Sequence, residues 1–508
     1  METSLSKQLK RLALPQSSLY KHNRKRVSLL FDSSTAATQD RETIFALGVT
    51  GFDELVNIES SFAEFKESLF SDAAMVVERA MLTKERNADL DKTIKRFIMM
   101  SIPYFPLRSF HKALEWLIYR FHIHQYNVDI MLRCIISYYD MNIFLRMLQI
   151  LQIKNTDPAW YWLLPYQKSN APLDRAELLK QCKNNANFLS IVTELIPECF
   201  EAIEQKQHRS LQVVFSFCTS ILCGYLDACD DISDAMVAKI MAFVVRGLRS
   251  GNTDFAMCSL MVTSELAIKY SLLPTTCEIL TDKILTNLTE ELAFTALSTV
   301  IVLFQTQSFD RIPAKVFKKI VRHDHQSIII EQVEKLSDMT NVESFVSVFL
   351  SNLFENAVDE ATAKSFDASR CEFLKECLLE WRLDPDLSEM VFKIMLQKFD
   401  LAANNEESKA AFQHIFHSTL SRLAKRYPVT YDMLIVKSAK KHIVSDEVLQ
   451  EFTAMCGVAG FQEGGSQSDL LLSLCHPTGK VRHLALKKIF GLFRTGYSQV
   501  QILNVCCL

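Results

Sequence analysis

The densest run of residues able to do chemistry is basic: Lys21-His22-Asn23-Arg24-Lys25-Arg26. From Thr3 to Phe31 there is no acidic residue, while Lys7, Lys10, Arg11, Lys21, Arg24, Lys25 and Arg26 carry positive charge. A run of this kind attracts phosphate oxygens by charge, or serves as a nuclear-targeting signal. A solvated connector explains it equally well. A mitochondrial transit segment is a further alternative, because the stretch is acid-poor and places Leu5, Leu9 and Leu12 on one helical face. Lys21, Arg24, Lys25 and Arg26 are therefore the candidates for targeting or for contact with an RNA backbone.

Other reactive residue types are plentiful but poorly spaced for catalysis. His122-Ile-His124 and His323-Asp-His325 are the densest histidine pairs. On a helix, an i, i+2 spacing points the two rings about 160° apart, so such a pair does not chelate one ion. The fourteen cysteines include no C-x-x-C, and Cys218, Cys223 and Cys229 lack metal-ligand spacing. Their apolar helical surroundings suit structural thiols in a reducing compartment. Asp230-Asp231 and Glu290-Glu291 suit helix caps and first turns, where negative charge is favoured. H-E-x-x-H, G-x-S-x-G, G-x-G-x-x-G and G-x-x-x-x-G-K-[ST] are all missing. The expectation is no enzyme, no cofactor and no metal. The terminal Cys506-Cys507-Leu508 is not a prenylation signal, because Val505 stands where that motif needs cysteine.

The elements that carry these residues read as helices. Among 508 residues there are only 12 Gly and 12 Pro, and no Gly lies between Phe52 and Cys223 or between Asn252 and Cys456. Tight hairpins need such residues to reach positive φ, so sandwiches, barrels and propellers are excluded. Residues 106–121 place Phe110, Leu114, Leu117, Ile118 and Phe121 on one face, with Pro106 in the first turn. Further amphipathic segments fall at 125–137, 140–152, 184–203, 207–227, 232–249, 253–271, 275–288 and 291–305. Others follow at 313–321, 324–335, 342–355, 359–380, 387–399, 405–425, 430–440, 444–456 and 467–475. Short breaks between them suit antiparallel neighbours. The uncharged stretches 210–226 and 292–309 read as buried helices, since both carry Ser, Thr or Gln and neither has one-sided basic flanks.

Pairing successive helices gives units of roughly 40 residues, the period of HEAT and armadillo repeats. His476-Pro-Thr-Gly-Lys-Val481-Arg482-His-Leu-Ala485-Leu486-Lys-Lys-Ile489 has the form of a HEAT second helix. There Val481, Leu486 and Ile489 are expected to pack inward, Ala485 to allow close helix approach, and Arg482 to bond within or between repeats. The expected class is all-α, an α-solenoid of degenerate HEAT/armadillo-like pairs. Its expected divisions are an N-terminal helix (1–12), a basic polar connector (13–37) and the solenoid (38–456). A Gly-rich loop (457–466) follows, holding Gly457, Gly460, Gly464 and Gly465, and then a final HEAT-like unit and tail (467–508).

Several stretches carry a family resemblance. Thr3-Ser-Leu-Ser-Lys-Gln-Leu-Lys-Arg-Leu-Ala-Leu-Pro-Gln-Ser17 closely resembles the opening of the HEAT-repeat-containing protein one family, whose yeast member is a U3 small nucleolar RNA-associated protein. The likeness continues through Ser28-Leu-Leu-Phe-Asp32, Ala36-Ala-Thr-Gln-Asp-Arg41, Gly48-Val-Thr-Gly51, Leu114-Glu-Trp-Leu-Ile-Tyr-Arg-Phe-His-Ile-His124 and Trp160-Tyr-Trp-Leu-Leu-Pro165. Residues about 232–350 resemble the helical segment named for that family.

The resemblance implies a nucleolar scaffold of the early small-subunit processome. It would act in pre-rRNA processing toward small-subunit rRNA and support RNA polymerase I transcription. Its partners would be other early processome proteins, the U3 small nucleolar ribonucleoprotein and pre-rRNA, with no membrane and no small-molecule substrate. It also favours the nuclear over the mitochondrial reading of the basic segment. Family members are several times longer, so the chain reads as a truncated isoform or an incomplete gene sequence. An importin-like or trafficking adaptor that binds protein cargo is the alternative function.

Overall fold

A computed structural model describes residues 26–203, 210–307, 323–362, 368–403, 406–441 and 444–456, with isolated positions between 312 and 321 and Leu486. The described residues form α-helices and short 3₁₀ turns, with no strand among them. The chain divides into two compact units, residues 1–265 and 266–508.

The first unit begins with α1 (Arg41–Ile58), α2 (Lys84–Met100) and α3 (Arg108–Phe121). Asp40 caps α1 by accepting the Thr43 N–H at 2.8 Å, and Thr83 caps α2 by accepting from Arg86. α1 lies tightly along α3 because two glycines in α1 remove the side chains that would separate them. A Cβ at Gly48 would overlap Trp116, and one at Gly51 would sit 2.5 Å from the Ser109 carbonyl oxygen. The five apolar residues expected on one face of α3 are all buried. Pro106, however, sits in the turn ahead of the helix, because Leu107 is the extended N-cap and closes that turn through its N–H to Tyr104 O at 2.9 Å. Aromatic rings fill the space between these helices. Phe52 stacks on Phe70 at 4.3 Å, and Phe97 meets Phe62, Phe65 and Phe110 at 5.7, 5.3 and 6.2 Å.

Downstream the unit becomes regular. It contains α4 (Val128–Ile135), α5 (Asn142–Ile150), α6 (Arg175–Asn184), α7 (Ala186–Ala202), α8 (Gln212–Ala228) and α9 (Asp234–Arg249). α6 packs on α8 and α7 on α9, so each helix meets its equivalent in the next pair. Helix α10 (Thr253–Lys269) approaches α9 closely at Gly247, where a Cβ would press on Ser259 and the Phe255 carbonyl.

The second unit shows the repeat most plainly. It opens with α11 (Pro274–Thr286), and one layer then holds α12 (Glu290–Thr306), α14 (Glu343–Thr362), α16 (Pro385–Ala403) and α18 (Pro428–Lys441). Between them come α13 (His323–Ser337), α15 (Ala368–Glu380), α17 (Glu406–Arg426) and α19 (Asp446–Met455). α12, α14, α16 and α18 pack in succession as one layer, and α13, α15, α17 and α19 as another. Prolines 274, 385 and 428 open helices, where a missing N–H and a fixed φ do no harm. Polar contacts recur at the repeat spacing. Ser388 to Thr430 and Lys409 to Glu451 each span 42 residues, Arg426 to the Leu379 carbonyl 47, and Lys437 to Glu389 48. This is the α-solenoid of stacked helix pairs. One boundary differs from expectation: α14 continues through 356–358 to Thr362 without a break. Among the described residues no helix is long and apolar enough to cross a membrane.

Candidate functional site

Arg26 is the one member of the basic candidate set among the described residues; Lys21, Arg24 and Lys25 lie outside them. Its guanidinium sits 3.6 Å from the Tyr119 ring centroid. Its Nη1 donates to the carbonyls of Ala36 at 3.2 Å and Gln39 at 2.9 Å. Arg26 thus holds the short helix Ser33–Thr38 onto α3, a role in the fold that its place in a basic run does not announce.

The residues after it are clamped from both sides of their backbone. The Glu115 carboxylate, 2% exposed, accepts the Leu29 N–H at 2.7 Å and the Leu30 N–H at 3.2 Å through Oε2. Arg146 donates to carbonyls of the same segment, reaching Phe31 O at 2.8 Å, Leu29 O at 3.3 Å and Ser28 O at 3.4 Å. Leu29 itself is buried. Residues 28–31 are therefore held against the fold, within the stretch 13–37 expected to be a polar connector. The reason is non-local: charge-assisted bonds from α3 and α5 satisfy a polar backbone that has no regular structure of its own. Glu115 was missed by sequence reasoning. The available signal was an acid flanked by Leu114, Trp116, Leu117 and Ile118.

The histidine pair behaves differently from an i, i+2 pair on one helix. α3 ends at Phe121, and His122 takes a left-handed conformation with φ 48°. That turn brings the two rings to 5.9 Å, centroid to centroid. His122 is exposed, whereas His124 is buried and its Nδ1 has no partner. Burial, and then the charge of His122, pushes the His124 pKa down to about 4. Close by, Arg79 is buried in a closed network. Its Nη1 donates to Phe121 O at 3.2 Å and Asn127 Oδ1 at 3.0 Å, its Nη2 pairs with Asp91, and its guanidinium lies 4.7 Å over Tyr126. Asn127 Nδ2 closes the circuit to Asp91 at 2.8 Å.

Elsewhere the titratable groups do structural work. Among the described residues no three His, Cys, Asp or Glu side chains gather to hold a metal. The described cysteines are buried except for half-buried Cys223, and burial raises the pKa of thiols such as Cys134, to about 11 for Cys223 and about 12 for Cys456. They stay protonated and poorly nucleophilic. Glu290 and Glu291 occupy the first turn of α12. A shallow pocket of about 310 Å³ is lined by Arg133, Ser190, Glu194 and Glu198, and there Arg133 pairs with Glu198 at 3.0 Å and with Asp129 at 2.9 Å. Ser190 there donates to Ala186 O at 2.9 Å and accepts from Lys239 Nζ at 2.5 Å, a bond that ties α9 to α7. Of the HEAT-signature residues, Val481, Arg482 and Ala485 lie outside the described residues, as does the Gly-rich stretch 457–466. Leu486 is helical and 44% exposed.

Comparison with known proteins agrees with the residues that carried the resemblance. The family described as U3 small nucleolar RNA-associated protein 10 matches residues 236–353, close to the 232–350 expected. HEAT repeat-containing protein 1 of Homo sapiens is 31% identical over 97% of this chain and 24% of its own length. The Danio rerio protein of the same name is 31% identical over 95% of this chain and 23% of its own length. U3 small nucleolar RNA-associated protein 10 of Candida glabrata is 29% identical over 63% of this chain and 18% of its own length. The chain spans about a quarter of the length of the curated vertebrate relatives it matches. With helix pairs stacked at the repeat spacing and likeness running through nearly all of its residues, this chain belongs to the family of HEAT repeat-containing protein 1 and U3 small nucleolar RNA-associated protein 10.

Proposed function

We propose that the chain is part of a non-catalytic nucleolar scaffold in ribosome biogenesis. In this reading it joins the early small-subunit processome, with other early processome proteins, the U3 small nucleolar ribonucleoprotein and pre-rRNA as partners. It supports processing toward small-subunit rRNA and RNA polymerase I transcription. The observation that carries the proposal is the likeness over 63% of the chain to a protein named for association with U3 small nucleolar RNA, together with the match of the family of that name at residues 236–353. A stack of helix pairs supports it physically, because each added pair extends a surface on which partners assemble.

Crosslinking and mass spectrometry of the tagged chain from nuclear extract tests the reading, together with imaging of the tag. The expected result is nucleolar signal and recovery of early processome proteins with U3 RNA and pre-rRNA. Recovery of nucleoporins and a small GTPase would replace it with a transport adaptor, and a mitochondrial signal would overturn it outright.

A further inference from the structure

The end of α3 holds a buried charge that the protein leaves unanswered. Arg120 is 8% exposed, and its Nε and Nη2 are both buried without a hydrogen-bond partner. Guanidinium does not shed its proton, so burial cannot be relieved by neutralisation. The Nε–Nη2 edge is the fork that offers two parallel N–H groups to a phosphate or carboxylate. Glu78 lies near enough to attract Arg120 without bonding either atom, and Arg41 repels it. Further positive charge gathers beside it: Arg120, Arg79 and Arg26 together hold the pKa of His122 below its ordinary value, after burial. His122 thus feels three guanidinium groups, of which Arg79 is engaged by Asp91 and Arg26 by Tyr119 and two carbonyls, leaving Arg120 without a partner.

We propose that this end of α3, with Arg120 as its central donor and the exposed Tyr126 at its edge, binds the phosphodiester backbone of single-stranded RNA. The inference rests on reading the chain as part of an RNA-associated scaffold. Two features favour an extended polyanion over a lone carboxylate. Tyr126 is 61% exposed, an aromatic ring held in place by the buried Arg79 and open to a stacked base. The acid-free sequence Thr3–Phe31 also joins the fold at this place, because Arg26 is seated on Tyr119, next to Arg120 in the chain. Arg41 and His122 beside it are exposed, and binding a ligand here requires the Arg120 side chain to turn outward. Doing so ends its burial without a partner, so binding gains what the free protein forgoes.

The test is fluorescence anisotropy of a labelled single-stranded 20-nucleotide RNA with the purified full chain, across a salt series. Arg120→Met should weaken binding about tenfold and reduce the magnitude of the log–log salt slope by about 0.7, one phosphate contact on a single strand. Its melting temperature should hold or rise, because an unpaired buried charge has been replaced by an apolar side chain. Tyr126→Ala, on an exposed ring, should weaken binding a few-fold with the fold intact. Unchanged RNA affinity in both variants overturns the proposal, as does a Met variant that loses stability while binding normally. Equal affinity for duplex RNA removes the single-strand assignment. Preference for an Asp/Glu-rich peptide moves the site to a protein partner. Since purified chain and RNA suffice, failure here is distinct from failure of nucleolar localisation.

Discussion

The amino-terminal clamp and the carboxy-terminal unit hold their backbones in place by different means. In the second unit, contacts repeat: Lys437 to Glu389 and Ser388 to Thr430 are the same kind of link between one helix pair and the next. At the start of the first unit, contacts are unique. Glu115 reaches back 86 residues to Leu29, and Arg146 reaches 115 residues to Phe31. A repeated contact is one of many similar terms, so its loss is local. A unique buried contact has no substitute, and its loss is felt in full.

The comparison is put at risk most directly at Glu115. Glu115→Ala leaves the Leu29 and Leu30 N–H groups without an acceptor in a buried setting, a loss of about 3 kcal/mol. Urea unfolding should register it, and hydrogen exchange should lose protection at residues 29–31 while α16 to α19 keep theirs. Equal loss of protection in both places would break the distinction.

Second in size is a pH effect in the same unit. His124 titrates near 4 when folded, chiefly because it is buried, and near 6.5 when unfolded. Below pH 6.5 the unfolded chain takes up a proton that the folded chain refuses until about pH 4. The stability present above pH 6.5 is therefore lost as pH falls through that window, about 2 kcal/mol between pH 7.5 and 5. His124→Gln keeps a donor and does not titrate, so its unfolding midpoint should shift less between those pH values. An identical shift in both proteins would assign the pH dependence elsewhere.

The sequence disclosed the two regions unequally, and for physical reasons. Helices such as α3 and α16 were legible because burial imposes a 3.6-residue apolar period, which Phe110, Leu114, Leu117 and Phe121 follow. The repeat spacing was legible because short polar breaks recur. The clamp was hidden because residues 26–31 have no period and their partners lie far along the chain. Arg26 read as a free cation, yet Tyr119 and two carbonyls engage it. Nothing in the spacing around Arg120 marks it out; only three-dimensional packing shows that it is buried and unanswered. Gly48 and Gly51 stood out as rare residues in a family-like motif, but their function as the contact that lets α1 lie on α3 needed the fold.

The smallest predicted effect lies in the second unit, at Gln307. Its Nε2 donates to Ala267 O at 2.7 Å and Tyr270 O at 3.0 Å, and its Oε1 accepts the Leu272 N–H at 2.8 Å. It thus closes the carbonyl end of α10 with three bonds, one more than Glu115 makes. By bond count alone, Gln307→Leu should be the more damaging change. Burial and charge argue the reverse. Gln307 is neutral and half-buried, so water can reach the groups it leaves, and the expected loss is about 1 kcal/mol. Exchange should quicken at Tyr270 and Leu272 and return to wild-type rates within one helix pair. If Gln307→Leu instead costs as much as Glu115→Ala, stability follows the number of bonds, and the contrast between unique and repeated contacts carries no energetic meaning.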